Sequence, residues 1–120
     1  MRERTARSVL IVEDNADQAE TLRMLLSLQG HRLEIASSGP AAIDLARRQR
    51  PDVVLLDLGL PGCDGFEVAR RLRAEHGQAM RIIAVSAYAA ECDREQSLQA
   101  GCEVHLVKPA DPGFIESLLG

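Results

Sequence analysis

Short runs of large apolar residues recur along the chain and alternate with segments whose apolar residues are spaced at about 3.6 residues, the helical period. Three of the runs, VLIV, VVLL and IIAV, occupy positions 9–12, 53–56 and 82–85 and are rich in β-branched residues. Runs of this kind are typical of strands buried on both faces of a parallel sheet. Partial alternation over 32–36 and 103–107 predicts two further strands, nearer the edges of the sheet.

Helical periodicity fills the intervals between these strands. Glycines at 30, 77 and 101 follow three of the helical segments and are typical of helix C-termini. Because strands and helices alternate five times with short connections, the pattern predicts a doubly wound α/β domain with a mostly parallel sheet and right-handed crossovers. The predicted helices occupy 16–29, 40–48, 65–76, 90–100 and 111–119, and the fourth has the thinnest apolar pattern.

Composition and charge narrow the classes of function. A chain of 120 residues with 46% hydrophobic and 2% aromatic residues has the size of one domain with an aliphatic core. The net charge is −4 and no basic stripe is present, so we expect no direct nucleic-acid binding. The longest apolar runs are far shorter than the roughly 20 residues that span a bilayer, so no membrane insertion is expected.

The cysteines and the ends of the chain add two expectations. Cys63, Cys92 and Cys102 lack the spacing of a zinc site or a disulfide framework. We interpret them as free thiols in a reducing compartment and expect a cytoplasmic location. Residues 1–7 are mostly polar and precede the first strand, which indicates a lead-in or linker remnant before a domain over 8–119.

Charged and polar residues stand directly after four of the predicted strands. Glu13 and Asp14 follow the first strand, Asp57 the third, Ser86 the fourth and Lys108 the fifth. The carboxyl ends of parallel strands meet at one edge of the sheet, where the ligands of such folds bind. A carboxylate at the end of a buried strand needs compensation, which Mg²⁺ and a lysine can supply. Taken singly, the same residues are also typical of helix caps or surface positions.

Four motifs, in this order, resemble those of the receiver domain of two-component response regulators. They are LIVEDN at 10–15, LLDLGLPGCDGFEV at 55–68, AVSAY at 84–88 and HLVKP at 105–109. The resemblance covers about 8–119 and implies a flavodoxin-like three-layer sandwich whose parallel strands run in the order 2-1-3-4-5. It also implies bacterial phosphorelay signalling, either by a free regulator or by the receiver of a hybrid histidine kinase.

The resemblance implies that Asp57 is the phosphoacceptor and takes a phosphoryl group from a histidine kinase or a histidine phosphotransfer domain. Mg²⁺ is then expected to be held by the side chains of Glu13, Asp14 and Asp57 and by the backbone carbonyl of Gly59. Such a domain is not an enzyme in its own right, although it assists its own phosphorylation and dephosphorylation. The output domain or target protein stays open.

The remaining site residues come from the same resemblance. It implies that Lys108, the Ser86 hydroxyl and the Ala87 N–H contact phosphoryl oxygens, and that the peptide between Lys108 and Pro109 is cis. Ser86 stands where the family more often has threonine. Gly59 and Tyr88 occupy variable positions beside the phosphoryl group and are expected to influence the rate of dephosphorylation.

A switch is implied on the face made by the fourth helix, the fifth strand and the fifth helix, through which a homodimer could also form. The family usually has an aromatic residue three positions before the lysine, where this sequence has His105. Imidazole changes charge between about pH 5 and 8, so His105 is predicted to pack inward behind Ser86 when neutral and to turn outward when protonated. The alternative is a half-exposed strand residue without a switching role.

Two other functions remain open. A degenerate receiver would act only as a protein-binding module, although Asp14, Asp57, Ser86 and Lys108 are all present. A Mg²⁺-dependent aspartyl-phosphate phosphatase typically carries a second acid two residues after the nucleophile, where this sequence has Gly59. A P-loop nucleotide-binding protein is excluded, because the motif GxxxxGKS/T does not occur.

Overall fold

The computed structural model describes residues 7–60, 64–87, 91–108 and 110–119, and of 91–94 it describes the backbone only. Strands and helices alternate along these ranges, with a short 3-10 turn before the fourth strand. The elements are β1 (Ser8–Val12), α1 (Ala16–Ser27), β2 (Arg32–Ala36), α2 (Gly39–Gln49), β3 (Val53–Asp57), α3 (Gly65–His76), β4 (Arg81–Ser86), α4 (Glu91–Gln99), β5 (Val104–Val107) and α5 (Pro112–Leu119).

The strands form a parallel sheet in the order β2-β1-β3-β4-β5. The predicted fold, a doubly wound flavodoxin-like sandwich with this strand order, is therefore confirmed. β3 lies in the centre of the sheet and is buried along its whole length, which explains its continuous apolar run. β2 and β5 lie at the edges and carry partly exposed side chains, in agreement with their weaker apolar patterns.

Successive residues of a strand point to opposite faces, so the continuous apolar runs make both faces of the sheet apolar. Helices cover both faces. On one face, a core cluster that includes Leu10 packs against α2 and α3 through side chains such as Leu72. On the other face, Ile11 belongs to a cluster with Leu26 of α1 and Ile115 of α5. Burial of each of these large side chains contributes about 1.5–3 kcal/mol relative to exposure. The two clusters therefore hold the strand ends in fixed positions.

The turns that follow the helices agree with prediction in part. α1 ends at Ser27, before the predicted end, and Gly30 lies in the following turn with a φ of 95°. Gly77 caps α3 as predicted, with a φ of 67° and its N–H donated to the carbonyl of Arg73. The Arg73 guanidinium donates to the carbonyl of Gly101 at 2.6 Å, just beyond α4. This arginine therefore ties the turn between α4 and β5 to the end of α3.

Cys102 is a buried free thiol. Burial raises the pKa of its thiol to about 11, although the charge of Arg73 opposes the shift, so the group is neutral and unreactive near pH 7. Cys63 and the side chain of Cys92 lie outside the described residues, and their state as free thiols stays a prediction. Among the described parts of the chain, no helix has the length and apolar character needed to cross a membrane.

Candidate functional site

Three carboxylates meet at the carboxyl edge of the sheet. Asp57 is itself the last residue of β3 and is 7% exposed, while Glu13 and Asp14 directly follow β1. The register of the two strands sets Val12 opposite Leu56, which brings their ends side by side. One oxygen each of Glu13, Asp14 and Asp57 lies within 4.8 Å of the others. The structure thus brings the predicted acidic residues together, with Asp14 on the exposed side of the group.

The Lys108 ammonium lies between two of these carboxylates. Lys108 follows β5, and its backbone N–H donates to the carbonyl of Ser86 at 2.7 Å, which continues the pairing with β4. Its Nζ donates to Glu13 Oε1 at 2.7 Å and to Asp57 Oδ2 at 2.9 Å. A third contact, at 3.1 Å, reaches Gln18 Oε1 on α1. One cation thus offsets two buried carboxylates. It compensates the desolvation cost of a charge at a buried strand end.

Burial and charge act in opposite directions on the pKa values of Glu13 and Lys108. Burial raises the pKa of Glu13 and the charge of Asp57 adds to this, while hydrogen bonds from Lys108 and from the Asn15 N–H oppose the rise. Burial works to lower the pKa of Lys108, but hydrogen bonds to Glu13 and Asp57 and the attraction of both charges outweigh it. The pKa of Lys108 is therefore raised, and the ammonium stays protonated.

The chain turns sharply after Asp57. The Gly59 N–H donates to Asp57 Oδ1 at 2.8 Å and so fixes the carboxylate oxygen that the lysine does not contact. A Cβ on residue 59 would lie 3.4 Å from the same oxygen. Gly65 begins α3 directly against the backbone of Leu58, where a Cβ would come within 2.6 Å of the Leu58 Cα. Glycine at 65 permits this close approach, whereas a Cβ at 59 would make an ordinary contact. Residues 61–63 of the same motif lie outside the described residues.

A cleft of about 260 Å³ opens at this edge of the sheet. The sequence pattern did not point to two of its lining residues, Asn15 and Gln18. Asn15 caps α1 by accepting the Gln18 N–H at 3.0 Å. A helix that begins at the carboxyl edge of the sheet has its first turn facing the site. The location of both residues at the start of α1 is the sequence feature that could have identified them. The cleft is lined by Glu13, Asp14, Asn15, Gln18, Asp57, Gly59, Ala87 and Lys108.

A larger and mainly apolar cavity, of about 570 Å³, adjoins the cleft between α1, α5 and the sheet. Its lining includes Leu22 and Leu25 of α1 and Ile115 of α5, and Leu25 is 39% exposed. Asp57 and Lys108 line both spaces. The predicted phosphoacceptor therefore borders an apolar groove as well as a charged cleft.

Ser86 contacts His105 and is not among the residues that line the cleft. Ser86 is the last residue of β4 and is 1% exposed, and its Oγ lies 2.8 Å from His105 Nε2. His105 Nδ1 lies 3.3 Å from the Oγ of Ser97 on α4. The sequence pattern did not identify Ser97. A serine at an inward position of the helix with the thinnest apolar pattern could have indicated a buried hydrogen bond. The imidazole is therefore directed inward and links two buried hydroxyls.

The oxygen ligands of Glu13, Asp14 and Asp57 fit Mg²⁺, which takes carboxylate ligands at its protein sites and keeps several waters. Gly59, whose carbonyl is the fourth predicted ligand, lines the same cleft. Tyr88 and Pro109 lie outside the described residues, and so does the predicted cis peptide bond.

Comparison with known proteins agrees with this arrangement. The family model described as the response regulator receiver domain matches residues 9–119 of this chain. The chain is 40% identical over 114 residues to the polar-differentiation response regulator DivK of Brucella ovis, and the match covers 93% of each protein.

Solved structures agree as well. The receiver domain of a sensor histidine kinase from Pseudomonas aeruginosa PAO1, with a magnesium ion coordinated in its active site cleft, has a TM-score of 0.84 at 36% identity over 96% of this chain and 95% of that one. A response regulator of Burkholderia pseudomallei with a phosphorylated aspartic acid has a TM-score of 0.88 at 25% identity over 95% of this chain and 66% of that one. The chain belongs to the family of response regulator receiver domains and thus to two-component signalling.

Proposed function

We propose that this chain accepts a phosphoryl group on Asp57 from a histidine kinase or a histidine phosphotransfer domain. The observation that carries the proposal is the setting of Asp57, a 7% exposed carboxylate that lines the cleft with one oxygen held by Gly59 and the other by Lys108. The phosphorylated aspartic acid of the Burkholderia relative supports the same chemistry here.

In the proposed transfer, a carboxylate oxygen of Asp57 forms a bond to phosphorus while the P–N bond of the phosphohistidine breaks. The electron pair of that bond returns to the imidazole nitrogen, and the product is an aspartyl phosphate. The residues of this chain supply positioning and charge. Lys108, whose Nζ lies 2.9 Å from Asp57 Oδ2, is assigned to pair with a phosphoryl oxygen, and Ser86 and the Ala87 N–H are assigned to the others.

The proposed metal site consists of the side chains of Glu13, Asp14 and Asp57 and the carbonyl of Gly59. Bound Mg²⁺ supplies positive charge that offsets these carboxylates and the phosphoryl oxygens. Glu13 accepts hydrogen bonds from the Asn15 N–H and from Lys108, and the resemblance to the family assigns part of its contact with the metal to a bound water. The magnesium ion in the Pseudomonas relative supports the site.

The surroundings of the site suggest where partners bind. The apolar groove between α1 and α5 gives a phosphodonor domain a surface directly beside Asp57. The output face is assigned to α4, β5 and α5, because Ser86 at the edge of the site reaches α4 through His105. Homodimerisation, where it occurs, is assigned to the same face. A phosphatase is disfavoured, because Gly59 stands where such enzymes typically carry a second acid.

The exchange Asp57→Asn tests this function, with the exposed Asp44→Asn as a matched control. We expect labelled acetyl phosphate and Mg²⁺ to modify the wild type and the control but not Asp57→Asn, since an amide cannot form an acyl phosphate. Hydroxylamine should release the label. Label on Asp57→Asn would refute the assignment, a folded wild type without label would indicate a binding module, and turnover of an external phosphomonoester would indicate a phosphatase.

A further inference from the structure

Three side chains form a hydrogen-bonded row that leads away from the phosphoacceptor edge. The Ser86 Oγ at the end of β4 lies 2.8 Å from His105 Nε2 on β5, and His105 Nδ1 lies 3.3 Å from the Ser97 Oγ on α4. Ser86 is 1% exposed and Ser97 is 0% exposed. The row therefore crosses from β4 through β5 to α4, with both hydroxyls buried and His105 partly exposed.

A neutral imidazole has one N–H and one bare nitrogen, so the row has two arrangements of opposite direction. In the first, Ser86 donates its hydroxyl proton to Nε2, and the Nδ1–H of His105 donates to Ser97. In the second, the Nε2–H of His105 donates to Ser86, and Ser97 donates its hydroxyl proton to Nδ1. The distances suit both, because each arrangement joins the same pairs of atoms.

A phosphoryl group on Asp57 selects the second arrangement. In the proposed phosphorylated state Ser86 contacts a phosphoryl oxygen, and because phosphoryl oxygens only accept hydrogen bonds, Ser86 must be the donor. A serine hydroxyl has one proton, and therefore Ser86 must then accept from His105, which requires the Nε2–H form. In that form Nδ1 is bare, and the hydrogen bond with Ser97 persists only when Ser97 is the donor.

We propose that His105 is a positioning residue that sets the donor direction of Ser86 and transmits phosphorylation to α4 by reversing the hydrogen bonds along this row. The inference rests on the proposed phosphorylation of Asp57. It gives a physical role to the imidazole that stands where the family more often has an aromatic ring.

Ser97 is placed to receive the reversal. Within 95–99 of α4, Ser97 is buried and its neighbours are exposed, and its carbonyl accepts the Cys102 N–H at 2.9 Å. A serine in a helix commonly donates its hydroxyl to a carbonyl one turn earlier, and a proton directed to His105 is withdrawn from such a bond. Phosphorylation therefore changes the hydrogen bonding of α4 at the position where this part of the helix touches the sheet.

Nitrogen-15 NMR of the His105 ring tests the row in the wild-type protein, because the two nitrogens report which of them carries the proton. Spectra are recorded where the ring is neutral, with Mg²⁺ alone and with Mg²⁺ and the phosphoryl mimic beryllofluoride. With the mimic we expect the Nε2–H form to exceed the Nδ1–H form about tenfold or more. A tenfold ratio corresponds to a free-energy difference of about 1.4 kcal/mol between the two forms. A dominant Nδ1–H form, an identical ring state in both spectra, or a ring that leaves both serines would overturn the proposal.

Two variants of similar size separate the contacts of the ring. His105→Gln carries its amide at about the distance of Nε2 and retains a donor for Ser86, whereas His105→Asn carries its amide near Nδ1 and reaches only Ser97. Affinity for beryllofluoride should fall about tenfold in His105→Asn, the size of one charge-assisted hydrogen bond, and stay within about twofold of wild type in His105→Gln. Equal affinity in the two variants would indicate a structural role only and refute the proposal.

Ser97→Ala removes the far end of the row without touching Ser86. We expect it to keep the affinity for beryllofluoride but to lose the mimic-induced shifts of the amides of 95–99, and retention of these shifts would overturn the transmission to α4. Labelling of the wild type by acetyl phosphate is measured alongside. A wild type without label refutes the proposed function itself, whereas a labelled wild type with an unchanged ring state refutes only the role of His105.

Discussion

Lys108 and Asp57 are joined by a hydrogen-bonded ion pair of 2.9 Å that connects the end of β5 to the end of β3 across the intervening strand β4. The same ammonium holds Glu13 beyond β1 at 2.7 Å. Three strand ends are therefore joined by one side chain, and the carboxylate predicted to accept the phosphoryl group is held by groups of the protein itself.

Loss of this cation should destabilise the metal-free protein. In Lys108→Met the volume is nearly kept, but the buried carboxylates of Glu13 and Asp57 face each other without a counter-charge. We expect the free energy of unfolding to fall by about 1–3 kcal/mol, less than the full cost of a broken buried pair because the lysine side chain is 25% exposed. Arg48→Met, which breaks an exposed pair with Asp44, should cost less than about 0.5 kcal/mol in the same urea titration. Equal losses of unfolding free energy in the two variants would show that the buried ion pair stabilises the protein no more than the exposed one.

Removal of one carboxylate should weaken magnesium binding. Asp14→Asn keeps the shape of an exposed side chain but removes one of the three clustered negative charges. We expect the affinity for Mg²⁺ to fall by about tenfold, because a charge this close to a divalent ion contributes at least about 1.4 kcal/mol. The metal-free variant should unfold at an equal or higher temperature, because repulsion among the carboxylates is reduced. Calorimetric titration of Asp14→Asn beside Asp17→Asn checks this, and equal affinities would remove Asp14 from the site.

Gly65→Ala should disturb the fold next to the phosphoacceptor. The new Cβ would lie 2.6 Å from the Leu58 Cα and 2.8 Å from its carbonyl oxygen, and backbone atoms cannot yield as a flexible side chain does. We expect a loss of about 2 kcal/mol or more in the free energy of unfolding. Gly113→Ala is the control, since its Cβ would meet Asp111 Oδ1 at an ordinary 3.6 Å. A thermal melt in which both variants match the wild type would contradict the close approach of α3 to the site.

The ion pair between Glu103 and Arg81 should make stability depend on acid pH. The hydrogen bond from Arg81 lowers the pKa of Glu103 below its ordinary 4.5, against the effect of burial. A lowered pKa in the folded protein stabilises it above about pH 4.5, and the contribution is lost as the pH falls through the folded value. Glu103 is 39% exposed, so Glu103→Gln should cost only about 0.5 kcal/mol at pH 7.

That cost should shrink as the pH falls towards 3, since the wild type then loses the same charge. Glu34→Gln, at an exposed glutamate on the opposite edge strand, is measured beside it as the matched control. A cost of Glu103→Gln that is constant across this range would show that the pair contributes nothing through its charge.

The strands could be predicted from sequence because β3 and its neighbours are buried on both faces, which leaves continuous apolar runs. Their carboxyl ends carry Glu13, Asp57 and Lys108, and the parallel topology alone brings such residues to one edge. The strand order itself came from the family resemblance, because alternation of strands and helices is compatible with several orders.

Other features depend on side-chain direction, which no spacing rule encodes. Gln18 joins the site because the first turn of α1 starts at the sheet edge and directs its amide to Lys108. Ser97 meets His105 because of the rotation of α4 about its own axis, and that helix has too few apolar residues to reveal its inward face. The contact of the Ser86 hydroxyl with the imidazole of His105 depends likewise on the directions of two side chains.

These 120 residues contain a single lysine, so the cation of the site is also their only side-chain amine. Reductive methylation with carbon-13 formaldehyde would therefore label Lys108 and the α-amino group alone. The raised pKa of Lys108 slows its reaction relative to the α-amine, because only the neutral form reacts. The methylated nitrogen keeps its positive charge, so its resonance reports whether it faces carboxylates, a metal-loaded site or a phosphoryl group. The chain is thus suited to chemical isotope labelling at the candidate site without any engineered substitution.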